Sequence, residues 1–139
     1  IRAAVADRGL DSSFTVLGYR DDAPRVMSGA DGFTLSSRHE GLPVALMAAL
    51  ALGLPVAATA AGGVAAAAGE AGLIVSVDDP AALAAAHVAL AVDPARRDAL
   101  AEAATREAER FSATRAIAEI EEIYDVAAKA NPLRASNES

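Results

Sequence analysis

Short apolar runs alternate with helical stretches along the first half of the chain. Four runs read as buried strands: Phe14–Leu17, Gly32–Ser36, Val56–Thr59 and Leu73–Val77. Each is brief and bounded by Gly, Asp, Pro or Ser, the pattern of strands covered on both faces. Between them, 1–9 and Asp22–Gly29 read as helical, the latter with Pro24 near its start, and Pro43–Leu52 opens on proline and holds Leu46, Met47 and Leu50. Strand, helix and strand joined by short links predict a parallel sheet with right-handed crossovers. Beyond the last strand the pattern is helical only. Asp79-Pro80 supplies an N-cap and a first-turn proline for Ala81–Ala91, and Asp93-Pro94 repeats that signal for a helix reaching Arg110. Ser112 caps a third helix, in which Ile117, Ile120, Ile123 and Tyr124 recur at helical spacing. The expected architecture is an α/β, Rossmann-like parallel sheet with flanking helices, followed by C-terminal helices. It occupies residues 1–130, and the polar stretch 131–139, with Pro132, reads as a disordered tail.

Composition narrows this picture. The chain has 139 residues, room for one domain, and 38 of them are alanine, with an aromatic fraction of only 4%. Each buried alanine removes little surface from water, so the expected core is thin for its length. The segment Gly41–Gly69 carries no charged residue, but Gly53-Leu54-Pro55 and Gly62-Gly63 cut it into short pieces. It therefore reads as a buried α/β core rather than a membrane span. Cysteine is absent, which removes disulfides, thiolate metal sites and a cysteine nucleophile, and is compatible with the cytoplasm, where the chain is expected. A net charge of −7 argues against nucleic acid as a partner, because an acidic chain repels the phosphate backbone.

The stretch most suited to chemistry is Ser36-Ser37-Arg38-His39-Glu40-Gly41-Leu42-Pro43. It follows a predicted strand and precedes a predicted helix, and open parallel sheets bind ligands beyond the carboxyl ends of their strands. Gly41 allows close backbone approach, and Pro43 starts the helix without wasting an amide. The helix's first amides, with the positive end of its dipole behind them, suit a diphosphate or sugar hydroxyls. Glu40 is a two-oxygen acceptor in front of them. Taken alone, Glu40 is an ordinary loop carboxylate; its setting argues for a ligand role. His39 divides between ligand contact and surface packing, whereas His87, in an alanine-rich helix, reads as structural, and no serine–histidine–acid arrangement or metal-ligand spacing is present.

Gly18-Tyr19-Arg20-Asp21-Asp22, Ser36 through Leu50, Pro55-Val56-Ala57-Ala58-Thr59 and Gly62-Gly63, in this order and spacing, resemble the C-terminal, donor-binding domain of GT-B-fold, family 4 retaining glycosyltransferases (glycosyl transferases group 1). The resemblance implies a nucleotide-sugar donor, a UDP- or GDP-sugar first of all, transfer with retention and no metal or other cofactor. Glu40 matches the first glutamate of that family's paired-glutamate motif, the residue facing the donor sugar, and is the implied catalytic residue. Donor contacts are implied for Ser37, Arg38, His39, Gly41, Leu42 and Pro43, for Tyr19 and Arg20 beside the nucleotide base, and for Thr59, Gly62 and Gly63 in the next loop. The acceptor is implied to sit on a separate N-terminal domain, and peripheral membrane association of the parent enzyme is compatible with the family.

Two departures stand inside the resemblance. The second glutamate of the motif falls at Ala48, and the one expected after the paired glycines is replaced within Ala65-Ala66-Ala67-Ala68. In the family the second glutamate is on the ribose hydroxyls, and losing one such charged hydrogen bond costs about 1.5–3 kcal/mol. The strand bearing a basic pair for the leaving diphosphate, and the strand after it, have no counterpart here, and the chain opens on Ile1. The sequence thus reads as part of a transferase, inactive by itself and less stable than a completed domain. A non-catalytic remnant or binding module of the same fold, and part of a sugar-nucleotide epimerase, are the competing accounts.

Overall fold

A computed structural model describes residues 1–130, and the Asn131–Ser139 tail expected from the sequence lies outside the described residues. The sheet consists of β1 (Phe33–Leu35), β2 (Val56–Thr59) and β3 (Gly72–Val75), all parallel, in the spatial order β1-β2-β3. Phe33 lies opposite Val56, and Val56 opposite Gly72. The helices are α1 (Arg2–Ala6), α2 (Ala23–Met27), α3 (Val44–Ala51), α4 (Val64–Ala68), α5 (Pro80–Val92), α6 (Pro94–Ala108) and α7 (Ala113–Lys129). With α3 linking β1 to β2, and α4 linking β2 to β3, every crossover returns the chain to the same end of the sheet, as parallel pairing requires.

β2 is the centre. Val56, Ala57 and Ala58 are fully buried and Thr59 nearly so. The strand's alternation splits the core in two. Val56 and Ala58 meet Leu46 and Leu50 of α3, Val64, Ala67 and Ala68 of α4, and Ala103 and Ala104 of α6. Ala57 meets Ala86 and Leu90 of α5 on the other face. More than half of the buried apolar residues are alanine. Small side chains let helix and sheet backbones come close, so packing density is reached without bulk.

The helix starts follow the sequence signals. Asp79 accepts the Ala82 amide at 2.8 Å, Asp93 the Arg96 amide at 2.9 Å, and Ser112 the Arg115 amide at 3.2 Å. α3 falls within the expected Pro43–Leu52, with Pro43 and Leu52 as its caps. The helix expected to reach Arg110 closes instead in a 3-10 turn at Glu109–Phe111. The expected strand Leu73–Val77 ends at Val75, and the chain then turns into α5 through Asp78, whose φ of 62° is left-handed.

One expected strand is absent. Phe14–Leu17 forms no ladder, and β1 keeps a free edge among the described residues. Two backbone groups of Phe14–Leu17 find partners elsewhere: the Phe14 amide donates to the Leu10 carbonyl at 2.9 Å, and the Val16 carbonyl accepts from the Arg2 guanidinium at 2.9 Å. An apolar run becomes a strand only where a neighbour offers hydrogen bonds, and none does so here. Conversely, α4 was not expected, because Gly62-Gly63 followed by four alanines has no polar face to reveal helical periodicity. On α7, Ile117, Ile120, Ile123 and Tyr124 lie on the apolar stripe and are all exposed.

α6 is fastened to the loop before β3 by charge. Glu107 accepts from the Arg110 guanidinium at 2.6 Å and from the Glu70 amide at 3.3 Å, while Arg110 also donates to the Ala66 carbonyl at 3.2 Å. Gly69, at φ 52°, leaves the space that the Glu107 carboxylate fills. The Arg110 hydrogen bond, with the Glu70 amide second, holds the Glu107 carboxyl below the usual glutamate range. It therefore stays ionised in the folded chain at pH values where the unfolded chain takes up a proton. The resulting stabilisation is complete above the ordinary glutamate range and is lost as pH falls through the folded value. Glu107→Ala is expected to cost about 1–2 kcal/mol near neutral pH in urea unfolding. The difference from wild type should shrink on acidification, and a pH-independent difference would mean that the charge contributes nothing.

Candidate functional site

Because the strands are parallel, the three loops that follow them meet at one end of the sheet: Ser36–Pro43 after β1, Ala60–Gly63 after β2 and Ser76–Asp79 after β3. The first two are in direct backbone contact. The Gly63 amide donates to the Gly41 carbonyl at 3.0 Å. A methyl group at Gly62 would overlap the Glu40 carbonyl oxygen, and one at Gly63 would sit 2.6 Å from that of Gly41. Gly62 also holds φ at 53°, which glycine adopts without penalty. Paired glycines are therefore required here by space as well as by conformation.

A second set of bonds arranges the turn from within. Thr59, at the end of the central strand and 5% exposed, donates from Oγ1 to the Ser37 carbonyl at 2.6 Å. The Ser37 hydroxyl in turn donates to Oε1 of Glu40 at 2.6 Å. Glu40 is half-buried, Gly41 and Leu42 are exposed, and Pro43 is buried beneath them. Pro43 is the N-cap of α3 and has no side-chain acceptor for the first-turn amides. The Leu46 amide donates to the Pro43 carbonyl at 3.0 Å, which leaves the Val44 and Ala45 amides to face the crest with the positive end of the helix dipole. Glu40, Gly41 and the start of α3 thus share one end of the sheet with Gly62 and Gly63, as the sequence predicts.

The remaining expected residues are placed differently. Arg38 pairs through Nε with Oδ1 of Asp78 at 2.6 Å, joining the loops after β1 and β3, and both side chains stay largely in solvent. A cleft of about 600 Å³ opens beside this pair, lined by Ser36, Arg38, Thr59, Asp78, Asp79, Pro80 and Leu83. His39 is exposed. Tyr19 is 96% exposed, and Arg20 is held in a two-point pair with Asp22, both bonds at 2.6 Å. Arg20 is the main reason that the Asp22 carboxyl lies below the usual aspartate range. Among the described residues, no hydrogen bond links Tyr19 or Arg20 to the Ser36–Pro43 turn.

The partnership of Asp78 with Arg38, 40 positions away, carries no local signature in the sequence. Asp22, two residues from Arg20, was within reach of sequence reasoning. A further cleft, of about 480 Å³, lies along β1 between Asp31, Phe33, Thr34, His87 and Arg97, and the Thr34 hydroxyl meets His87 there. It is lined by β1 and the α5–α6 region, and includes none of the residues of the Ser36–Pro43 turn.

Comparison with known proteins bears on the family and the α/β fold. The sequence profile described as "Glycosyl transferases group 1" matches residues 1–93. The chain is 34% identical over 130 residues, 91% of its length, to D-inositol 3-phosphate glycosyltransferase of Corynebacterium kroppenstedtii, and 33% identical over 119 residues to the enzyme of that name from Salinispora tropica. Over 49 residues it is 39% identical to the UDP-Gal:alpha-D-GlcNAc-diphosphoundecaprenol alpha-1,3-galactosyltransferase of Escherichia coli. Among solved structures, sucrose-phosphate synthase from Thermosynechococcus elongatus superposes with a TM-score of 0.81 at 27% identity over 94% of the chain. The chain covers 29%, 25%, 13% and 34% of those four proteins, respectively.

The glycine contact makes a sharp comparison possible. Gly62→Ala is expected to destabilise the chain by more than about 1 kcal/mol, combining a left-handed φ with a backbone collision. It should also move the amide resonances of residues 37–42. Gly41→Ala meets open space and should stay within about 0.5 kcal/mol of wild type. Equal effects in urea unfolding would contradict the packing described.

Proposed function

The chain belongs to the group 1 glycosyl transferases, and on that premise we propose that it provides the nucleotide-sugar site of a retaining, family 4 enzyme. In this reading it is the donor half of a GT-B pair, and the acceptor is bound by a domain outside these residues. The observation that carries it is the half-buried Glu40 carboxylate, fixed by Ser37 at the crest of a parallel sheet. Donor sugar hydroxyls donate to Glu40, and the diphosphate lies on the open amides of α3 and the Gly41 turn, where the dipole favours negative charge. Tyr19 and the Arg20–Asp22 pair border the nucleotide base. One of the relatives named above, the Escherichia coli galactosyltransferase, carries a UDP-sugar in its name, and a UDP- or GDP-sugar is the expected donor. No metal or other cofactor enters this reading.

The departures at Ala48 and Ala65–Ala68 favour a second reading, a module that retains the donor crevice without turnover. Measuring transfer of labelled sugar by the intact protein separates the two, since binding without transfer to any acceptor supports the module.

Two binding outcomes follow. Amide resonances of Glu40, Gly41, Val44, Gly62 and Gly63 should shift on titration with a UDP- or GDP-sugar. Glu40→Ala should weaken that sugar nucleotide about tenfold while leaving free UDP or GDP unchanged. Shifts confined to the Asp31–Phe33 cleft would remove the proposed site.

The alanine at the second glutamate position has its own consequence. Ala48→Glu should tighten a ribonucleotide diphosphate by roughly ten- to a hundredfold, and its 2′,3′-dideoxy analogue much less. Calorimetry giving the same change for both would break the alignment of Ala48 with a ribose-contacting residue.

A further inference from the structure

The bonds from Thr59 to Ser37 and from Ser37 to Glu40 have only one chemically possible direction. The Ser37 carbonyl cannot donate, so the Thr59 hydroxyl gives its proton to it, at 2.6 Å. The Leu35 carbonyl, 3.4 Å from the same hydroxyl, is a second acceptor. An ionised Glu40 likewise only accepts, so the Ser37 hydroxyl gives its proton to Oε1. Each hydroxyl has one proton, and both protons are committed within the protein. Neither Ser37 nor Thr59 can therefore donate to a phosphate or a sugar oxygen while this arrangement holds. Oε2 of Glu40 is the oxygen that Ser37 leaves free.

From this we infer that Ser37 and Thr59 are positioning residues: they hold the Glu40 carboxylate for a ligand hydroxyl and do not bind the nucleotide sugar themselves. The inference rests on the reading of Glu40 as the sugar-facing carboxylate. Its physical origin is the path from core to rim. Thr59 is buried at the end of the central strand, and its bond fixes the Ser37 backbone. Ser37 then fixes a side chain that would otherwise sample many rotamers and lose that freedom on binding. The site so formed presents an acceptor. It selects a ligand carrying a hydroxyl at that point over one carrying hydrogen, because the deoxy ligand would leave the oriented oxygen without a partner.

The test uses the intact protein and two readouts. Side-chain scalar couplings report the Glu40 rotamer without ligand, and calorimetry compares a UDP- or GDP-sugar with the same free nucleotide. Wild type should show one Glu40 rotamer. Ser37→Ala and Thr59→Val should show rotamer averaging and about tenfold weaker sugar-nucleotide binding, with free nucleotide unchanged. Ser37→Thr and Thr59→Ser keep the hydroxyls and should restore both properties. Thr59→Val preserves the shape of the strand end and decides the matter if Ser37→Ala fails to fold. Unchanged Glu40 couplings in the hydroxyl-free variants would overturn the inference, as would an equal loss of affinity for free nucleotide. If wild type binds no sugar nucleotide, the donor-site reading fails, while the couplings still decide whether Ser37 and Thr59 position Glu40.

Discussion

The site depends on one contact that contains no side chain: the backbone of Gly62-Gly63 lies directly on the backbone of Glu40-Gly41, joined by the Gly63 amide to Gly41 carbonyl bond. This contact sets the distance between the loops that follow β1 and β2, and so the height at which Glu40 stands above the start of α3. It is possible because β1 and β2 are parallel neighbours whose carboxyl ends arrive side by side. The same economy of bulk runs through the interior, where alanines on β2, α4 and α6 let helix and sheet backbones approach closely. A core of this kind gains less from hydrophobic burial per residue than one built of leucine and phenylalanine. Correct backbone spacing therefore carries more of the specificity of the fold, and added side-chain volume is poorly tolerated at these contacts.

Charge is arranged around this interior rather than within it. The uncharged stretch from Gly41 to Gly69 supplies α3, β2 and α4, the parts that touch both the core and the crest. Charged residues act at the margins, and some of them join elements distant in sequence: Arg38 to Asp78 across the crest, and Glu107 and Arg110 to Glu70 and Ala66 of the α4–β3 connection. Exposed pairs of this type contribute little stability individually, and their effect is to fix the relative placement of loops. Arg38 is engaged with Asp78, so in the proposed reading the field that favours an anion near Glu40 comes chiefly from the Val44 and Ala45 amides of α3. Backbone dipoles give that field without the conformational freedom of a long cationic side chain.

The order of the elements was legible in the amino-acid sequence because it follows from local rules. The run Val56–Thr59 is apolar at consecutive positions, and it became the buried central strand. Asp79-Pro80, Asp93-Pro94 and Ser112 each announced a helix start whose capping bond the structure contains. The family was legible as a resemblance carried by several motifs in order, and the match to group 1 glycosyl transferases bears it out. Tertiary structure decided what local rules cannot reach. Phe14–Leu17 has the composition of a strand, but a strand exists only with a partner, and here the Phe14 amide and the Val16 carbonyl are taken by Leu10 and Arg2. Arg20 and Arg38 are both expected at the donor, yet Arg20 is taken by its sequence neighbour Asp22 and Arg38 by Asp78, which the fold brings near. Ser37 and Thr59 could both have faced a ligand; the direction of their hydrogen bonds, set by which acceptors the fold places beside them, turns them toward Glu40. Propensity and capping act over a few residues and are written in the chain. Hydrogen-bond partnership between distant loops depends on which backbones meet, and only the folded arrangement determines that.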